Sequence, residues 1–461
     1  MKLAGTFRDP AGSVSVSQDQ VTRIVFSEGL PNLNAYLNSP AVRRHVESGE
    51  LVETRVDDAA PALLSGSVIV EHPRIPFASY PCEWPAVMLH AAARLTLELC
   101  SSLLGECLGL KDATPSNILF RGPRPVFIDI LSIEKREPLD PIWLADAQFA
   151  RTFLIPLLLN RRAACPIHEL FLFQRDGIAA ADAVRRLPAP RRWFPPDLGL
   201  VTLPARAASL ENEGLYRGRQ ARDAGEARFI LEHRFRTLRK KLDSLQPSVT
   251  ASAWSGYQTD CPSYTAEQHT AKREFVQRML GEIKPSRVLD VGSNTGEFSL
   301  MAAAAGASVV SIDTDPESVA ALWRSANNAG ADILPLVVDF ARPTPAAGWR
   351  CQEQDSFLER AEGFFDCAFF LAVTHHLMVT DQIPLDQIFE VAASVTSRWL
   401  LIEYVGPADP MFRRLTRGRD SLYAGFSRQV FETCARSHFD VVSSLTIPSS
   451  DRALYLLTRK S

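Results

Sequence analysis

Three aspartates end short apolar runs in the second half of the chain: Asp290 in V-L-D-V-G-S-N-T-G-E-F-S, Asp313 in V-V-S-I-D and Asp339 in L-P-L-V-V-D-F. Carboxylates at strand ends accept hydrogen bonds from ribose hydroxyls or an adenine amino group, so this set suits a nucleoside. After Asp290 the chain turns through Gly292, Ser293, Asn294 and Gly296 into an Ala-rich segment. Glycines let the backbone approach a ligand, and the start of a following helix offers unpaired amides.

A dinucleotide competes for this assignment, because G-x-G-x-x-G occupies the same place in dinucleotide-binding units. Counted from Gly292, the second and third glycine positions hold Asn294 and Glu297. A carboxylate there repels a pyrophosphate but tolerates a ligand that carries an ammonium and a sulfonium and no phosphate. S-adenosylmethionine is such a ligand.

The next apolar run, F-D-C-A-F-F-L-A-V-T-H-H-L, ends in Thr374, His375 and His376. An imidazole near neutral pH removes the proton that a hydroxyl nucleophile must lose, so either histidine is a candidate catalytic base. The alternative is that each bonds a backbone group at the turn. Glu403, ending L-L-I-E, is a candidate to orient the imidazole or bind substrate. Arg413, Arg414, Arg417 and Arg419 either hold an anionic substrate or form a solvated loop.

A separate set lies near the amino terminus, where L-K-D-A-T-P-S-N-I-L-F precedes P-V-F-I-D-I. Asp112, Asn117 and Asp129 in that order suit phosphoryl transfer, with the first as base and the others on magnesium. No lysine occurs between Lys2 and Lys111, so an arginine such as Arg23 or Arg55 would have to meet the phosphates. The plainer reading is a turn in which Asp and Asn bond the backbone.

These residues need elements to hold them. From 286 onward, short apolar runs alternate with helical segments, which predicts a parallel sheet with crossover helices. Strands are expected at Arg287–Val291, Ser308–Ile312, Ile333–Val338, Phe365–Leu371 and Trp399–Glu403, with a final pair near Val441–Leu445 and Ala453–Leu457. A helix is expected around 264–281 and another over Pro85–Leu104. Leu231, Phe235, Leu238, Leu242 and Leu245 recur at helical spacing in a segment where cations outnumber acids, which predicts a basic amphipathic helix. The prolines between 187 and 204 predict a boundary. The expected organisation is an amino-terminal α+β domain (1–200), a linker with the basic helix (201–262) and a carboxy-terminal α/β domain (263–461).

Composition narrows the class. At 461 residues with 46% apolar and 22% charged, the chain reads as an ordinary globular protein of two or three domains. A formal charge of -3 offers no global cationic field, so neither a nucleic-acid nor a membrane partner is expected. Arg8 and Asp9 arrive before any apolar run, and the uncharged, mostly apolar stretch Phe298–Ile312 is shorter than a bilayer span of about 20 residues. A cytoplasmic location is the expectation. Eight cysteines show no C-x-x-C pair, so no metal ligand set is assigned.

The D-x-G-x-x-x-G element (Asp290, Gly292, Gly296) with the spaced acids Asp313 and Asp339 closely resembles class I S-adenosylmethionine-dependent methyltransferases over roughly residues 265–461. The resemblance implies a Rossmann-like seven-stranded sheet with a reversed last hairpin. It carries Asp290, Gly292, Ser293, Asn294 and Gly296 to the methionine side of the cofactor, Asp313 to ribose and Asp339 to adenine. Amino-methylating enzymes for adenine or glutamine commonly end strand four in Asn/Asp-Pro-Pro-Tyr/Phe, whereas Leu371-Ala372-Val373-Thr374 stands here.

The Asp112–Asn117–Asp129 passage resembles the catalytic loop of protein-kinase and aminoglycoside-phosphotransferase folds. It is degenerate, with Leu110 in place of the usual His and no Phe-Gly after Asp129. The whole arrangement resembles the rhizobial NoeA family of nodulation proteins and its bacterial relatives. The expected function is methylation of a small molecule, a sugar or another polar metabolite. The rivals are a bifunctional or phosphotransferase enzyme using Asp112, Asn117 and Asp129, and a non-catalytic cofactor sensor.

Overall fold

The computed structural model describes residues 2–3, 9–17, 20–57, 66–208, 220–248 and 264–460. The chain divides into two compact units, Met1–Ser248 with Ala347–Gln354, and Val249–Ala346 with Asp355–Ser461.

The first unit opens with five short strands, β1 (Lys2–Leu3), β2 (Gly12–Val16), β3 (Gln20–Val25), β4 (Arg55–Val56) and β5 (Val68–Pro73), in an antiparallel sheet of order β1-β2-β3-β5-β4. The helix Ala86–Leu103 follows, with Met88, Leu89, Ala92 and Leu99 fully buried. The stretch from Ala86 to Glu106 is apolar and long enough to cross a membrane, yet 67% of it is buried inside the unit, as for a core helix. Beyond it β6 (Leu108–Leu110) pairs with β9 (Ile133–Lys135), and β7 (Ile118–Arg121) forms a hairpin with β8 (Arg124–Phe127).

The unit does not stop at the prolines. Residues 187–208 hold short helical turns, and the basic helix forms at Ala224–Ser244. Its stripe of Leu231, Phe235, Leu238 and Leu242 is buried, Arg234 pairs with Asp146 and the Leu242 carbonyl accepts from His90. The helix is thus part of the first unit rather than a connector, because its apolar face is satisfied there. The remainder of the expected linker, 209–219 and 249–262, lies outside the described residues.

In the second unit the helix Ala266–Ile283 begins with a capping box, Thr265 against Gln268. Seven strands follow: β10 (Arg287–Val291), β11 (Ser308–Asp313), β12 (Ile333–Val337), β13 (Phe365–Phe370), β14 (Thr396–Val405), β15 (Phe439–Thr446) and β16 (Arg452–Arg459). Their order is β12-β11-β10-β13-β14-β16-β15, parallel from β12 to β14, with β16 antiparallel to both its neighbours. This is the seven-stranded sheet with a reversed last hairpin that the resemblance implies. Parallel strands covered by helices on both faces read as continuous apolar runs, and β12 and the Cys367–Phe370 part of β13 are buried throughout. Edge strand β15 instead is mostly exposed, with Phe439 its one buried residue. Each fully buried Leu or Phe in this core contributes about 1.5–3 kcal/mol relative to exposure.

Candidate functional site

In the parallel part of the sheet the strand ends carry the chemistry. The register sets Asp290 beside Ser311 and Asp313 beside Val337, so the carboxyl ends of β10, β11 and β12 lie on one edge. A cavity of about 670 Å³ opens there, within the roughly 300–1,000 Å³ usual for small-molecule sites. Every residue assigned to the cofactor from the sequence walls it except Gly296.

The turn after β10 is left-handed at Gly292 (φ 72°), Asn294 (φ 50°) and Gly296 (φ 82°). A Cβ on Gly296 would stand 2.1 Å from Leu322 Cδ1, and Leu322 is fully buried on the helix Pro316–Ala329. Only glycine fits between the turn and that helix.

The carboxylates are held in different ways. Asp290 is 3% exposed and accepts from Ser299 Oγ at 2.5 Å. Burial pushes its carboxyl up to about 6, against the pull of Ser299 and Lys272. Burial likewise raises Asp313, although two backbone amides bond its oxygens. Asp339 is more exposed and pairs with Arg342 at 2.7 Å, which also meets Asp381 at 2.8 Å. Glu297, the residue that argued against a pyrophosphate, lies on the wall bonded to His269 and Arg273.

At the end of β13 the backbone is strained. Ala372 adopts φ 57°, a conformation costly for a residue with a Cβ and concentrated at functional sites. The turn delivers Val373, His375 and His376 to the cavity wall. His375 is 3% exposed, and neither ring nitrogen has a hydrogen-bond partner. Burial first, then His376, Arg452 and Lys272, push it well below the ordinary imidazole value, so it is neutral at neutral pH. His376, whose ring centroid is 4.3 Å away, is lowered too, mainly by burial. The reading that both histidines simply bond backbone through their rings does not hold for His375.

Glu403 does something other than orient an imidazole. It is fully buried and absent from the cavity wall, and its carboxylate accepts from Lys272 Nζ at 2.7 Å, Arg452 Nη1 at 3.2 Å and the Tyr264 hydroxyl. Burial opposes its charge, but Lys272 and Arg452 outweigh that and hold it below the ordinary value. Arg452 is further clamped by Asp409 at 2.6 and 3.0 Å. Nor do Arg413, Arg414, Arg417 and Arg419 wall the cavity.

Among the wall residues that the sequence did not single out are Tyr264, Lys272, Phe340 and Arg452. Phe340 follows Asp339 and packs edge-on against Phe370 at 5.3 Å, which fixes an apolar ring beside Asp339 on the wall. Lys272 had a readable signal: it occupies the buried register Gln268, Lys272, Phe275, Val276, Met279 of its helix, where a cation needs a partner.

The residues fit S-adenosylmethionine: a left-handed glycine turn, a preoriented Asp313, an apolar ring by Asp339, and two wall residues, Ser293 and His375, with buried polar atoms that have no partner. Comparison with known proteins agrees. Residues 264–443 match the methyltransferase domain family. Nodulation protein NoeA of Rhizobium meliloti (strain 1021) is 32% identical over 472 aligned residues, 99% of this chain and 96% of that protein. The chain belongs to the NoeA family. It is an S-adenosylmethionine-dependent methyltransferase. Among solved structures, N-methyltransferase NodS from Bradyrhizobium japonicum WM9 with S-adenosyl-L-homocysteine is similar at 14% identity, over 46% of this chain and 94% of that one, with a TM-score of 0.33. The bifunctional kinase-methyltransferase WbdD is similar at 21% identity, over 47% and 45%, with a TM-score of 0.32.

In the first unit, the loops that bear Asp112 and Asp129 are joined through Ser132, whose hydroxyl bonds the Asp112 backbone and whose amide donates to the Asp129 carbonyl. The amide of Ile128 donates to the Asn117 carbonyl at 2.9 Å. Asp112 accepts from Gln148 at 3.3 Å, while the Asn117 side-chain nitrogen is buried without a partner. Arg23 of β3 binds Asp129 at 2.8 Å; Arg55 instead pairs with Glu53.

Proposed function

We propose that the second unit methylates a hydroxyl group of a small polar molecule, with His375 as the base. The carrying observation is His375 itself, buried at the cavity wall with both ring nitrogens unpartnered and held neutral. S-adenosylmethionine supplies the electrophilic methyl group. His375 takes the acceptor's proton as the oxygen gains its new bond to carbon, and the neutral thioether leaves. Positioning does most of the work in such an in-line displacement, and a general base adds about 10²–10⁴-fold. Asp313 orients the ribose, and the apolar ring of Phe340 flanks the adenine.

The test is transfer of labelled methyl from S-adenosylmethionine to a panel of sugars and hydroxylated metabolites by wild type and His375→Ala. A variant that binds S-adenosylhomocysteine normally but methylates at under a tenth of the rate supports the reading. Equal rates would remove His375 from catalysis, and biological activity without any turnover would favour the sensor. Kinship with a nodulation protein makes a role in nodulation part of this proposal.

For the first unit we infer a kinase-like, degenerate fold. The supporting observation is that Arg23, on the third strand, meets Asp129, in keeping with an arginine standing where a lysine is usual. Magnesium-dependent ATP binding abolished by Asp129→Ala would instead support phosphotransfer.

A further inference from the structure

Besides its acids, the cavity is walled by two nearly dry cations, Lys272 at 4% and Arg452 at 3% exposure. They come from the helix Ala266–Ile283 and the first residue of β16. Glu403 and Asp409, which neutralise them, are not among the wall residues. The cluster is therefore neutral by formal charge, with both cationic residues on the cavity wall and both carboxylate residues off it. Tyr264 completes it: its hydroxyl bonds Glu403, and both cations lie over its ring, at 5.0 Å for Lys272 and 4.4 Å for Arg452.

The hydrogen-bond capacity is not used up. An ammonium has three N–H groups and a guanidinium five. Lys272 bonds Glu403 and, at 3.4 Å, the Tyr264 oxygen; Arg452 spends three donors on Asp409 and Glu403. Arg452 also bonds the Tyr264 side chain, so one N–H of each cation remains, and neither group can accept. A ligand atom here must accept hydrogen bonds, and a single negative charge suits a cluster with no net charge to spare. A cation or a pure donor would meet only donors. Removing two ions from water is costly and needs excellent geometry to offset, so a cluster used only to brace the sheet would have no reason to open onto a ligand cavity.

We propose that Lys272 and Arg452, braced by Glu403, Asp409 and Tyr264, form a carboxylate-binding subsite of the methyltransferase cavity. Two ligands bring that chemistry: the methionyl carboxylate of the cofactor, or a carboxylate on the methyl acceptor. The proposal rests on the cofactor reading above, and its test separates the two.

The experiment is calorimetric titration of the full chain and of Lys272→Met with S-adenosylhomocysteine and with 5′-methylthioadenosine, which keeps the nucleoside and sulfur but lacks the amino acid. Protein saturated with S-adenosylhomocysteine is then titrated with 4-hydroxybenzoate and with its methyl ester. Lys272→Gln, which keeps a donor toward Glu403, stands in if the Met variant fails to fold, and Lys272→Arg is the rescue. A loss of about tenfold or more for S-adenosylhomocysteine, with methylthioadenosine unchanged, supports the subsite and assigns it to the cofactor. Unchanged S-adenosylhomocysteine, with 4-hydroxybenzoate but not its ester bound by wild type and lost in the variant, supports it and assigns it to the acceptor. Any other pattern in a protein that binds methylthioadenosine overturns the subsite while leaving the cofactor reading intact. A folded wild type that binds neither nucleoside overturns both.

Discussion

The carboxylate of Asp313 accepts the backbone amide of Asn294 at 2.8 Å, which joins the end of β11 to the glycine turn after β10. A second amide, from Asp315, holds its other oxygen at 2.9 Å. The Asp313 carboxylate is thus held from both sides at the cavity wall, and the glycine turn is anchored by it.

Replacing that acid should cost binding and order together. If Asp313 holds the ribose as proposed, Asp313→Ala loses two charge-assisted bonds, each worth about 1.5–3 kcal/mol, and releases the turn. Titration with S-adenosylhomocysteine should give a loss of about a hundredfold or more; a loss under threefold would detach Asp313 from the site.

Gly296→Ala should be severe for two separate reasons, a left-handed backbone and a Cβ driven into Leu322. Removing the clash in Gly296→Ala/Leu322→Ala leaves the backbone strain of about 1–2 kcal/mol and adds a core cavity costing about 2–5 kcal/mol. Denaturant melts should show the double variant losing less than the sum of the two single losses; strict additivity would mean the clash is not felt.

Asp290 gives a signed pH effect. Its folded value, about 6 against an ordinary 3.8, means that the folded state binds more protons between those limits. Its contribution is fully present below 3.8 and is lost as pH rises through 6. Asp290→Asn, which stays uncharged, should therefore gain on wild type as pH rises, by up to about 3 kcal/mol at pH 8 relative to pH 4. Thermal melts of ligand-free protein at pH 4, 6 and 8 would show it, and a constant difference would refute it.

His375 predicts the opposite kind of profile. Because burial holds it neutral, the rate of methyl transfer should not fall as pH is lowered from 7.5 through 6.5, where an ordinary imidazole would lose half its base form. A rate that halves near 6.5 would mean that the base is a solvated group.

How much of this was legible varies with the kind of signal. The acids at 290, 313 and 339 and the glycine turn could be read because one strand end and one turn hold each of them, so local spacing carries the information. All seven strands of the second unit lie where apolar runs had put them, with β14, β15 and β16 longer than read, because paired backbone extends past the apolar residues. Glu403 was visible as a strand-end acid, but its role was not. Its partners are separated from it by 131 and 49 residues, a pairing that only the folded sheet creates. The first unit's extent was misjudged at the prolines for a similar reason, since Asp146 and Arg234 meet across 88 residues.

The reversal of β16 also bears on how the sheet is assembled during synthesis. Residues 452–459 are made after every other strand of the sheet, yet they lie between β14 and β15 rather than at an edge. Until they arrive, both neighbours present bare backbone, the condition that invites pairing with another chain. The same insertion delivers Arg452. Closing the sheet against aggregation and equipping the cavity with its second cation are consequently one event.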